Sequence, residues 1–255
     1  MNRNTDTTAT ITANIGKNIS PVIHVHGDFV RFLKVRNVKS PQRANPEDAG
    51  IDFYIPYPEF NFIDDFVTKN VGHNYTFIVT AEFNDQKEIH RFMIDEDINI
   101  DELNEYGIDI PTQMISYFID SFGLDDNDDI NNIKLTNVEI EIPGSERILV
   151  PSGVKVWIDR KDSALIATNK SGIATKKGLV VGATTVDSTY TGEVHLSVIN
   201  TNNYSVNVTM GEKLIQFIHT PVILSEMLEV DEDTYKHLSE NSVRGEGGFG
   251  SSGLK

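Results

Sequence analysis

The sequence predicts a mainly β subunit of the sandwich or barrel kind that carries a small inserted α+β module. Three observations predict it. From 141 to 224, short runs rich in β-branched and aromatic residues recur about every ten residues, with Gly and Asn clustered between them, as strands joined by turns do. Charge is uneven: residues 57–140 hold 19 Asp and Glu against 4 Lys and Arg, a net of −15, while the remainder holds 19 acidic and 18 basic residues, a net of −1. Within the acidic stretch an alternating pattern gives way to helical spacing, so that stretch is a unit of a different kind.

The elements follow in chain order. Residues 1–20 lack periodicity and are expected to be a flexible N-terminus. The β core takes 21–57 and 140–240, beginning with the strand FVRFLKV at 29–35. The insertion is 58–139. In it, 75–80 and EIHRFMI at 88–94 flank the polar turn Asn84-Asp85-Gln86-Lys87, which reads as a hairpin. Pro111 suits the first turn of a helix, Met114, Ile115, Phe118, Ile119 and Phe122 share one helical face, and Gly123 supplies the stop. A hairpin and such a helix can bury a small core of their own. The β core resumes with strands at 148–150, 154–158, 164–168, 193–199, 204–208 and 213–218. Residues 241–255, rich in glycine, form a mobile C-terminal arm.

Composition excludes several function classes. The chain has 255 residues, 39% hydrophobic and 24% charged, enough for a packed core. It has no cysteine, which removes disulfides, thiolate zinc sites and cysteine nucleophiles. A formal charge of −16 repels bare nucleic acid, so none is expected as a partner. No apolar run approaches the ~18–20 residues of a membrane helix, and MNRNTDTTAT lacks the apolar stretch of a secretory leader, so a cytoplasmic protein without a membrane partner is expected. His24 and His26 alternate as strand neighbours but have no third metal ligand nearby. Asp125–Asp129 and Asp95–Tyr106 fail the calcium-loop pattern; in the first, Ile130 and Thr136 stand where Gly and Glu are needed. Trp157 is expected in the core or at a subunit interface.

Gly245–Gly250 fits G-x-G-x-x-G literally, but only five residues follow, too few for the helix that a dinucleotide site needs. The larger segment RGEGGFGSSG, 244–253, nonetheless combines glycine amides, an arginine and two hydroxyls, which suit phosphate, with a phenyl face that suits a base. Four other segments precede it: AGID (49–52), KSGIA (170–174), VDSTYTGEV (186–194) and GEKLIQ (211–216). In this order the five resemble the motifs of the trimeric dUTPase family, of the virus or phage type, over roughly residues 21–56 and 141–255.

The resemblance implies a dUTPase-like, jelly-roll-like β-barrel subunit, a homotrimer with sites between subunits, and dUTP diphosphatase activity giving dUMP and pyrophosphate. Asp187 matches the carboxylate that activates water for attack on the α-phosphate. Tyr190 matches the ring under the deoxyribose that leaves no room for a 2′-hydroxyl. Gly182, Ala183, Thr185 and Val186, on a hairpin over Val181–Val186, are expected to read uracil with backbone groups. Lys170, Ser171, Gly172 and Gln216 match phosphate contacts. In the arm, Arg244, Ser251 and Ser252 are expected on phosphate and Phe249 over the base, with Gly248 and Gly250 lining the same segment. Mg²⁺ is the implied cofactor, held mainly by the triphosphate and water, with Asp52 near its water shell. Three positions depart from the family pattern: Lys170 replaces an arginine, Thr189 a second aspartate, and Thr184 a frequent glycine. Two other readings stand beside this one. The acidic 58–139 insertion could serve a basic protein partner on a dUTPase-fold regulatory scaffold. A dCTP deaminase-type enzyme fits less well, because Leu196-Ser197-Val198 offers no glutamate where that branch expects one.

Overall fold

The computed structural model describes residues 29–57, 60–93, 110–125, 128–243 and 245. The flexible N-terminus (1–20), His24, His26, the segment Asp95–Tyr106, and Arg244, Gly248, Phe249, Gly250, Ser251 and Ser252 lie outside the described residues. The chain forms two compact units, Met1–Val222 and Ile223–Lys255.

The first unit is built from three four-stranded antiparallel sheets. One runs β1 (Val30–Lys34), β6 (Arg147–Ile158), β10 (Glu193–Asn200), β8 (Leu179–Val181). Strict alternation in β10 buries Val194, Leu196, Val198 and Asn200 and turns His195 and Ser197 to the other face. The segments 148–150 and 154–158, expected as separate strands, are one strand of 12 residues. It bends at Gly153, whose φ of +72° only glycine adopts freely, opposite a shift in register between Glu193 and His195. Glu193 fills the bend: its Oε1 accepts the Gly153 N–H at 2.6 Å and its carboxylate pairs with Arg36 at 3.0 Å. Burial works against the Arg36 charge, but Glu193 and Asp65 outweigh it and raise its pKa.

A second sheet runs β11 (Val206–Thr209), β5 (Lys134–Ile142), β3 (Thr76–Phe83), β4 (Gln86–Met93). One flank of β5 pairs with β11 and the other with β3, so the hairpin of the acidic segment continues a sheet of the β core. Its turn is the two-residue Asn84-Asp85, with φ of 48° and 64°, while Gln86 and Lys87 belong to β4. Two helices cover this region: α1 (Phe60–Lys69), which the sequence reading did not anticipate, and α2 (Ile110–Phe122). Gly123, at φ +67°, ends α2 as expected. Phe62, Phe66, Phe77, Phe92 and Phe118 are fully buried and belong to one hydrophobic cluster with Val150, Leu196 and Phe217 of the β core. Each such ring contributes roughly 2–3 kcal/mol by leaving water.

Asn70 fastens α1 to the first sheet. Its Nδ2 donates to Phe66 O at 2.7 Å and Leu149 O at 2.9 Å, and its Oδ1 accepts the Leu149 N–H at 2.7 Å. The third sheet runs β2 (Ile51–Tyr54), β12 (Lys213–Pro221), β7 (Ser163–Asn169), β9 (Thr185–Asp187). A short helix, α3 (Ser171–Lys177), follows β7.

Trp157 is 49% exposed on the first sheet, with the Lys161 ammonium 4.0 Å from its ring centre, so its place is not the core of this subunit. No helix among the described residues is long and apolar enough to cross a membrane. In the second unit, α4 (Glu232–Ser239) begins at Asp231, whose carboxylate accepts the Thr234 N–H at 2.8 Å.

Candidate active site

The third sheet gathers four of the five motifs on adjacent strands: Asp52 on β2, Gln216 on β12, the approach to Lys170 on β7, and Asp187 on β9. Asp52, Gln216 and Thr168 are in cross-strand register. Gln216 Nε2 donates to Asn169 O at 3.0 Å, and Gly50 leaves the space into which the Gln216 side chain folds.

Asp52 is 3% exposed and faces two ammonium groups, Lys170 Nζ at 2.6 Å from Oδ1 and Lys213 Nζ at 2.8 Å from Oδ2. Burial would raise this carboxyl, but the two lysines outweigh it and hold its pKa below the usual carboxylate range. The same pairing raises Lys213. The cluster carries one net positive charge on a strongly acidic chain, which suits a phosphate. Each Asp52 oxygen faces one ammonium, so the carboxylate is the counter-ion of both lysines.

Ser171 and Gly172 open α3, and the space over Gly172 is empty, so a ligand can approach its amide. Val181–Val186 is not a paired hairpin within this chain. β8 pairs with β10 and β9 with β7, so Gly182, Ala183 and Thr184 cross between two sheets. The Gly182 N–H donates to Ser197 O at 3.0 Å and Thr184 O accepts the Ala167 N–H at 2.6 Å, which fixes both ends of the crossing. Thr185 and Val186 lie in the ladder opposite Ile166 and Leu165.

Asp187 is exposed, and its carboxylate has no hydrogen-bond or ion-pair partner among the described residues. Its position is set by its neighbours. Ser188 Oγ donates to Lys161 O at 3.0 Å, and Lys161 Nζ donates back to Ser188 O at 3.0 Å. The Tyr190 N–H donates to Asp187 O at 3.1 Å and its Oη to Glu193 O at 2.8 Å. The ring lies against Gly192, where a β-carbon would stand 2.4 Å from Oη.

The chain brings Asp52, Lys170 and Gln216 together but keeps Asp187 and Tyr190 apart from them. Asp187 registers with Ala164 and Gln216 with Thr168, four residues along β7, which is roughly 13 Å of strand. The motif comparison left two contributors without a role. Lys213 lay inside GEKLIQ, where its charge was the only signal. Asn169 was invisible: its carbonyl holds Gln216 while its Oδ1 accepts the Val181 N–H at 2.7 Å. Among the described residues no three His, Asp or Glu side chains are grouped to hold a metal.

This mainly β architecture is shared with a Staphylococcus bacteriophage 80alpha dUTPase solved with dUpNHpp, at a TM-score of 0.51 and 15% identity, covering 89% of this chain and 100% of that one. The family model described as dUTPase matches residues 133–253. A deoxyuridine 5'-triphosphate nucleotidohydrolase of Gloeothece citriformis (strain PCC 7424) is 40% identical over 129 residues, 49% of this chain and 84% of that protein. The one from Shewanella sediminis (strain HAW-EB3) is 32% identical over 123 residues, 48% of this chain and 77% of that protein. The chain belongs to the dUTPase family.

Proposed function

We propose that this protein hydrolyses dUTP to dUMP and pyrophosphate by attack of water on the α-phosphate. The observation that carries the reading is that AGID, GEKLIQ and VDSTYTGEV run onto strands β2, β12 and β9 of one sheet and KSGIA directly follows its strand β7, in a member of this family. Asp187 takes the proton of the attacking water, a role that its exposed carboxylate, without a partner among the described residues, suits. Lys170 and Lys213, with Gln216, Ser171 and the Gly172 amide, bind the phosphates. Tyr190 packs under the sugar and excludes a 2′-hydroxyl. Backbone groups of 182–186 read the uracil, and the arm from Arg244 to Ser252 closes over base and phosphates.

The separation of Asp187 from the Lys170 cluster supports a homotrimer in which neighbouring subunits complete each site. Mg²⁺ would be held mainly by the triphosphate oxygens and water, where it would offset phosphate charge. Asp52 serves it indirectly, by positioning the two lysines.

The test is pyrophosphate release from dUTP, UTP, dCTP and dTTP with Mg²⁺, wild type beside Asp187→Asn. Turnover of dUTP alone, reduced at least ~100-fold in the variant, is expected. Turnover of dCTP, or an unimpaired variant, would overturn the reading.

A further inference from the structure

A cavity of 210 Å³ opens where α1 meets the first sheet, lined by none of the residues around Asp52. Lys69, Asn70, His73, Arg147, Leu149 and Ser197 line it. With Ile148 the lining has seven side chains, three of them basic, on a chain of net charge −16. Residues 57–140 contain four Lys and Arg against 19 carboxylates, so bases there should find acidic partners. Lys87 does, 3.4 Å from Glu82, and so does Arg91, 2.8 Å from Glu141. Lys69 and Arg147 have no carboxylate partner among the described residues, although both border the same space. Glu146 lies 3.8 Å from His73 and accepts the Asn74 amide at 3.2 Å. The carbonyl end of α1 would oppose an anion, but it is closed locally: Asn70 donates its amide to Phe66 O and its backbone N–H to Val67 O at 3.0 Å. Ser197 lines the cavity, and its hydroxyl has no hydrogen-bond partner among the described residues.

We propose that this cavity binds a phosphate-type oxyanion, held by Lys69, Arg147 and the Ser197 hydroxyl. Two unpaired cations beside one small space repel each other, and an oxyanion of that size removes the repulsion while accepting several hydrogen bonds. The site has a route to the catalytic face. Ser197 O holds the Gly182 N–H, and a β-carbon on Gly182 would stand 2.6 Å from Ser197 Oγ, so the oxyanion would sit behind the 182–184 crossing. The proposal does not depend on what that crossing reads.

The experiment is thermal unfolding of the full chain in rising inorganic phosphate and, separately, pyrophosphate, with chloride holding ionic strength constant. A ligand that binds only the folded chain raises the midpoint saturably. We expect that rise in wild type, in Lys170→Ala and in Lys87→Ala. In Lys69→Ala/Arg147→Ala the half-saturating concentration should climb at least tenfold, each variant being read against its own ligand-free midpoint. Lower half-saturation by phosphate than by pyrophosphate supports the proposal with a single phosphate group; the reverse order supports it with a diphosphate. Absence of a rise in wild type overturns the proposal. So does a rise lost in Lys170→Ala but kept in the double variant, or one weakened equally by Lys87→Ala.

Discussion

Gln216 folds over Gly50 so closely that a β-carbon on residue 50 would stand 2.3 Å from Gln216 Oε1. Gly50→Ala should therefore displace the Gln216 amide. The clash is with the far end of a flexible side chain, so the unfolding midpoint should change little. A displacement near 1 Å at a positioning group costs up to about 100-fold, so kcat/KM for dUTP should fall ten- to 100-fold. In Gln216→Ala the same glycine change should add almost nothing, because the group it displaces is gone. Steady-state kinetics of the four proteins checks both statements.

Asp52 links acid stability to the site. Its folded pKa is depressed, so its contribution is present above the ordinary carboxylate value near 4 and is lost as pH falls through the lower folded value. Asp52→Asn should lose about 2 kcal/mol at pH 7, and the gap from wild type should close below about pH 4. Urea unfolding at pH 7 and pH 3 measures it; a gap that stays constant with pH would contradict the ion-pair account.

Asn70 is the hinge-pin between α1 and β6. Asn70→Ala leaves the Leu149 N–H and C=O without their side-chain partner. A cost of about 2–4 kcal/mol in chemical denaturation is expected, with dUTP turnover by the remaining folded protein unchanged.

Gly192 sets the tilt of Tyr190. Gly192→Ala would crowd the ring and break its Oη bond to Glu193 O. With Tyr190 packed under the sugar as proposed above, the ratio of kcat/KM for dUTP over UTP should drop about tenfold or more. An unchanged ratio would show that Tyr190 does not select the sugar.

The strands of the β core were legible because alternation survives in them: Val194, Leu196 and Val198 announce β10 without help. The motifs single out Asp187 and Gln216 as candidates for a similar reason, since short local segments carry them. Other features escaped for physical causes. In α1, Phe62, Ile63, Phe66 and Val67 do hold helical spacing, but no capping residue marks the start. In β5, Val138, Ile140 and Ile142 alternate, yet Asn137 before them and Glu139 and Glu141 between them look like loop, and the partner strand β3 lies some sixty residues earlier. α3 buries nothing, so it has no apolar stripe to read. The pairing of Asp52 with Lys170 spans 118 residues and Asp52 with Lys213 still more, and only the sheet brings them into contact.

The place of β5 between β11 and β3 bears on whether the acidic segment can be removed. With β3 and β4 present, the sheet ends on β4, which shows Lys87 and Arg91 to water and so discourages another chain from adding to it. Excising the β3–β4 hairpin of that segment, Thr76–Met93, would leave the backbone of β5 open along one whole side, next to its alternating valine and isoleucines. Such a border recruits further copies of itself. A shortened chain should therefore precipitate before it loses its chemistry, so the segment protects solubility whatever else it does.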